Sequence, residues 1–106
     1  MIRKAFVIQA KPGMAQEYEK RHNPIWPALR QALEEHGVSN YSIFLHESTN
    51  MLFGYMEVDD EERFQRIGAS DVCQRWWGYM KEVLVCDSDD SPKAKEDILR
   101  QVFHLD

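Results

Sequence analysis

Three features of the 106-residue sequence predict an α+β fold in the order β-α-β-β-α-β, with a four-stranded antiparallel sheet covered by helices on one face. Apolar, strand-like runs open and close the chain, helix-period stretches separate them, and two central apolar runs are joined by a short polar turn. This order is the ferredoxin-like unit. With 43% hydrophobic and 29% charged residues, the chain 1–106 reads as a single domain around one core.

Each element has a local cause. "IRKAFVIQA" is rich in β-branched and aromatic residues and is stopped by "KPG", which makes residues 2–10 a strand. In "MAQEYEKRHNPIWPALRQALEEHG", Met14, Tyr18, His22 and Trp26 recur every fourth residue, Leu29 and Leu33 continue the stripe, and Gly37 ends the helix. From Asn40 to Leu45, Tyr41, Ile43 and Leu45 point to one side and Ser42 and Phe44 to the other, the period of a strand. After the turn "HESTN", the run "MLFGYMEV" places Leu52, Met56 and Val58 on one face and Phe53 and Tyr55 on the other, completing a hairpin. Acidic residues in "DDEERFQRIGAS" mark a helix start, and a further helix follows "SD" through "VCQRWWGYMKEVL", with Pro92 closing the region. The alternating "DILRQVFHL" reads as the last strand, although a short helix also fits its first half, and "CDSDDSPKAK" is the one long loop expected. The first three strands carry apolar side chains on both sides, whereas an antiparallel sheet with a wet face alternates more cleanly. A second copy packed sheet to sheet, a homodimer, is therefore expected.

Charge excludes several classes. A net charge of −5 with no basic stripe argues against nucleic acid and against anionic membranes as partners. Near the amino terminus only Ala5 to Ile8 form an apolar run, short of a signal-peptide core of roughly 7–15 residues, so a cytoplasmic location is expected. Cys73 and Cys86 have no CxxC spacing and read as structural thiols.

The segment "RHNPIWPAL" carries the chemistry. Proline inside a helix removes a hydrogen bond and clashes one turn back, at a cost of about 3 kcal/mol, so Pro24 and Pro27 break the helix near Asn23. The break turns His22 toward a cavity, with Tyr18 one turn behind it; Pro24 starting a second helix with Asn23 as its N-cap is a compatible local role. An imidazole titrates near neutral pH, which makes His22 the best general acid/base candidate, set against the ordinary role of a hydrogen-bonded histidine. His36, His46 and His104 fall at a helix end, a turn and a strand terminus, and no two histidines are spaced for a metal site, so no metal is expected. Trp76 and Trp77 project about 100° apart, so one of them lines a pocket, or both serve an interface. Tyr18, His22, Tyr41, Trp76 and Trp77 together offer uncharged donors, one base and aromatic walls, a set suited to a small neutral polyhydroxylated ligand. There is no glycine-rich phosphate loop, Ser-His-Asp arrangement or arginine cluster. Composition and spacing lead no further than a small-ligand domain.

The phrases "KRHNPIWPAL", "NYSIFL", "LFGYMEV" and "DVCQRWW" together resemble the L-rhamnose mutarotase family of bacteria, from "MIRKAFVIQ" to "VFHL". The resemblance implies a dimeric α+β barrel built on the ferredoxin-like unit. It also implies cofactor-independent interconversion of the α and β anomers of L-rhamnopyranose in rhamnose metabolism. It assigns the catalytic role to His22, which would protonate the ring oxygen and take that proton back. Sugar contact falls to Tyr18, Tyr41, Trp76 and Trp77. The same dimeric fold hosts cofactor-independent monooxygenases and haem-degrading enzymes, so fold alone does not choose the function. A sugar-binding module without catalysis is the other rival; it would leave anomer exchange unchanged.

Overall fold

The computed structural model describes residues 1–88 and 93–106. Four strands, β1 (Ile2–Gln9), β2 (Val38–His46), β3 (Met51–Val58) and β4 (Glu96–Leu99), form one antiparallel sheet in the order β2-β3-β1-β4. Four helices, α1 (Ala15–Arg21), α2 (Pro27–Glu35), α3 (Glu61–Gln65) and α4 (Asp71–Met80), and a 3-10 turn at Arg66–Ala69 complete the fold. The expected βαββαβ plan stands, with each helical region in two pieces.

Register explains the layering. Phe6 pairs with Gly54, Gly54 with Ile43 and Phe6 with Ile98, so all four lie on one face of the sheet. On that face Phe6, Ile8, Leu52, Met56 and Val58 pack against Tyr18, Leu29, Ala32, Cys73, Trp76 and Met80 from the helices. Gly54 is required there: a Cβ at that position would collide with the Phe6 ring, which lies across it. The opposite face carries Val7, Phe44, Phe53, Tyr55 and Leu99, confirming strands that are apolar on both sides. β2 holds one extra residue: Ser39 faces Glu57 and Ser42 faces Tyr55, so Asn40 and Tyr41 both oppose Met56 in a β-bulge. Asn40 adopts the left-handed backbone at φ 47°, and its side chain is held by a 2.9 Å hydrogen bond to Glu57.

Element ends differ from the expectation at three places. α2 begins at Pro27, whose missing N–H costs nothing in the first turn, while Pro24 lies in the preceding turn after a cis Asn23–Pro24 bond. Asn23 is therefore not an N-cap. α4 stops at Met80 rather than running to Leu84, because Leu84 forms a bridge with Ala10 and Val85 N–H bonds to the Gln9 carbonyl, extending the chain along β1. The last strand ends at Leu99, and Arg100 to Asp106 have no regular structure despite their alternation. Gly37 ends α2 as expected, at φ 81° with its N–H on the Glu34 carbonyl. Pro92 lies outside the described residues, as does the middle of the expected 86–95 loop.

Candidate active site

The break between α1 and α2 exposes the last carbonyls of α1, and two side chains satisfy them. His22 Nδ1 lies 2.8 Å from the Tyr18 carbonyl oxygen, and Asn23 Nδ2 donates to the Glu19 carbonyl at 2.8 Å. A carbonyl can only accept, so Nδ1 bears the hydrogen and Nε2 carries the lone pair of the neutral ring. The "HN" before the proline thus closes the helix and fixes the imidazole tautomer in one step.

His22, half-buried, lines a cleft of about 1290 Å³ between the helices and the sheet. Tyr18, Tyr41, Trp76 and Trp77 line the same cleft, so all five residues singled out in the sequence meet there. The His22 ring sits 4.3 Å from Tyr18 and 5.1 Å from Trp76, edge-on to the indole. Both tryptophans reach the cleft: Trp76 enters from the core and Trp77 from its margin, where the Lys93 ammonium lies 5.2 Å from its ring. Tyr41 reaches in from the β2 bulge to stand edge-on to Phe6 at 6.2 Å.

Electrostatics set the protonation states. Burial holds the His22 imidazole below its ordinary value, only partly opposed by the Tyr18 carbonyl, so the ring is neutral at neutral pH. Burial raises the Tyr18 phenol far above its usual range; desolvation of the phenol within the cleft and then the Glu96 carboxylate raise Tyr41 as well, at a residue 38% exposed overall. Both tyrosines are therefore neutral hydroxyls. Cys73 also lines the cleft, and burial raises its thiol, which leaves it a packing group. Both cysteines are free. Among the described residues no group of three or more His, Cys, Asp or Glu side chains could hold a metal ion, and no helix is long and apolar enough to cross a membrane.

Sequence reasoning missed Trp26 and Tyr79. Trp26 stands edge-on to Trp76 at 5.0 Å and stacks on Tyr79 at 5.3 Å, forming the aromatic backing of the site. The recurrence at every fourth residue gave Trp26 a place on the helical stripe, but nothing local tied Tyr79 to it.

A ferredoxin-like α+β domain with one neutral imidazole, two neutral phenols and two indoles around an open cleft has the make-up of a domain for a small uncharged ligand. The L-rhamnose mutarotase family model matches residues 3–105, and the chain belongs to that family. An L-rhamnose mutarotase of Shigella flexneri serotype 5b is 50% identical over 105 residues, covering 99% of each chain, and one of Escherichia coli K12 is 49% identical with the same coverage. The crystal structure of an L-rhamnose mutarotase from Formosa agariphila superposes with a TM-score of 0.87 at 31% identity, covering 100% of both chains. A dimeric ferredoxin-like protein from an uncultured marine organism shares the fold alone, with a TM-score of 0.56 at 12% identity over 97% of this chain and 96% of its own.

Proposed function

We infer that the chain is an isomerase that interconverts the α and β anomers of L-rhamnopyranose by opening and closing the sugar ring, without a cofactor, in cytoplasmic rhamnose metabolism. The observation that carries the reading is His22, with Nδ1 committed to the Tyr18 carbonyl and Nε2 left for a ligand, in a chain about half identical to named mutarotases.

Ring opening moves one proton from the anomeric oxygen O1 to the ring oxygen O5 as the C1–O5 bond breaks and C1–O1 becomes a carbonyl. Both oxygens are bonded to C1, so one nitrogen can serve both. His22 starts neutral and takes the O1 proton on Nε2; the Tyr18 carbonyl steadies the imidazolium through Nδ1–H. The imidazolium then gives its Nε2 proton to O5 and is neutral again. Rotation about C1–C2 presents the other face of the aldehyde, and the same transfers in reverse close the second anomer. Tyr18 and Tyr41 donate hydrogen bonds to hydroxyls, and Trp76 and Trp77 offer flat faces to the C–H side of the ring. A positioned acid/base group contributes about 10²–10⁴-fold, which is sufficient for a reaction that already proceeds unaided.

Saturation-transfer NMR on L-rhamnose tests this. Exchange between anomers is expected to accelerate with the protein and to fall by about 10²–10⁴-fold in His22→Ala; an unchanged rate in that variant would remove His22 from the mechanism. Running L-fucose and D-ribose beside L-rhamnose measures the selectivity of the cleft.

We further propose a homodimer closed through the outer sheet face. Phe44, 65% exposed, joins Phe53, Leu99 and Val7 there, an apolar face that a second copy would cover.

A further inference from the structure

Arg21, the residue before His22, is tied to the far end of α4. Its Nε bonds Glu17 on its own helix at 2.8 Å, while Nη1 donates to the Tyr79 carbonyl at 2.8 Å and Nη2 meets Glu82, in the turn after α4, at 2.9 Å. The guanidinium also lies over the Tyr79 ring, 4.0 Å from its centre, and the side chain is only 12% exposed. Tyr79 stacks on Trp26, Trp26 meets Trp76 edge-on, and Trp76 meets His22 edge-on at 5.1 Å. The contacts form a closed ring that begins at Arg21 and returns to the next residue along the chain.

We propose that Arg21 is a positioning residue for the anomer interconversion: it fastens the end of α1, which bears His22, to the end of α4, so that imidazole and Trp76 meet the sugar at a fixed separation. The inference rests on His22 being the proton-transfer group. It explains why a guanidinium stands here. A surface pair with Glu17 alone would be an ordinary i,i+4 contact worth little, but a planar fork that meets two carboxylates and a carbonyl while stacking on a ring locks orientation, which an ammonium cannot do. Neither α1 nor α2 offers another polar side chain bonded to α4 among the described residues. Losing the tie leaves the cleft's walls in place and loosens one nitrogen relative to O1 and O5.

The test compares Arg21→Lys with the unmodified protein in L-rhamnose exchange at 25 °C. The expected result is a fall in kcat of about tenfold or more, as follows from misplacing a reacting group by a fraction of an ångström, with KM changed by less than about twofold. In parallel, ¹⁵N NMR of His22 is expected to show one Nδ1-protonated tautomer in the unmodified protein and a mixture in Arg21→Lys. A variant with a lower unfolding temperature but unchanged kcat and tautomer would overturn the proposal, leaving Arg21 a stabilising residue only. A rise in KM alone would overturn it too, because that is lost binding rather than lost positioning. Should Arg21→Lys not fold, Glu82→Ala, at a side chain 63% exposed, removes one arm of the fork and is read the same way, with a smaller fall in kcat. His22→Ala separates the two levels: full activity in that variant would refute the acid/base reading itself, whereas loss of activity there with an unaffected Arg21→Lys refutes only the positioning role.

Discussion

At the residue scale, His22 carries a proton-transfer task because a helix ends on it. Its depressed pKa gives the pH dependence a definite sign: the neutral, working base predominates above a value lower than about 6.5, so kcat/KM for L-rhamnose should rise with pH on the acid side of about 6.5 and be level by about pH 7. A rate that falls over that interval would mean the imidazolium is the starting form. The same shift makes the unfolded chain bind the proton more readily, so the His22 contribution to stability is full above about pH 6.5 and is lost as pH falls toward the folded value. Comparing unfolding midpoints of the unmodified protein and His22→Gln between pH 5 and 8 measures it. Gly54 makes a second residue-level prediction. Gly54→Ala forces its methyl into the Phe6 ring, against which Tyr41 stands, and should cost about 1–3 kcal/mol in urea unfolding while weakening L-rhamnose binding. His22 was legible in the sequence because two prolines follow it closely. Arg21 was not, because a basic residue in the last turn of a helix is ordinarily solvated, and its partners Tyr79 and Glu82 lie some sixty positions away.

Elements were legible where periodicity decides and less so where partners decide. Hydrophobic spacing located the four strands described and the stripe shared by α1 and α2, since burial on one face is a local pattern. Ends depended on contacts that pattern does not contain: α4 stops where Leu84 is drawn to Ala10, and the chain leaves β1 after Leu99 although "RQVFHL" still alternates, since alternation names a face and not a neighbouring strand. α3 shows a local signal that held. Asp60 accepts a 3.0 Å hydrogen bond from Arg63 N–H at its N-terminus, just where the acidic run predicted a helix start. Asp60→Ala should therefore lower stability by about 1 kcal/mol, with Asp60→Asn nearly neutral, as read by thermal unfolding.

For the whole molecule, the helix-covered face is finished and the other is not. A 12.5 kDa chain of this size buries a modest share of its surface, and stacking two outer faces would add apolar burial that the monomer lacks. Phe44→Glu places a charge on that open apolar face and is expected to convert a dimer into a monomer by sedimentation at micromolar concentration, while the chain keeps its far-UV signature. A dimer that survives the substitution would place the interface elsewhere. The sequence pointed to this face through strands apolar on both sides, but it could not show that Val7 is already buried within the single chain while Phe44 stands open.

The extra residue in β2 separates what folds the sheet from what serves the sugar. Without Asn40, Tyr41 would still oppose Met56 and the ladder from Val38 to His46 would run unbroken, so the sheet itself has no use for it. What the surplus residue supplies is aim, bending the strand so that a phenol leans over Phe6 into the cleft. A chain shortened by that one position should make a tidier strand with an undiminished unfolding temperature and a higher KM for L-rhamnose, a case in which a single deletion improves the architecture and spoils the instrument.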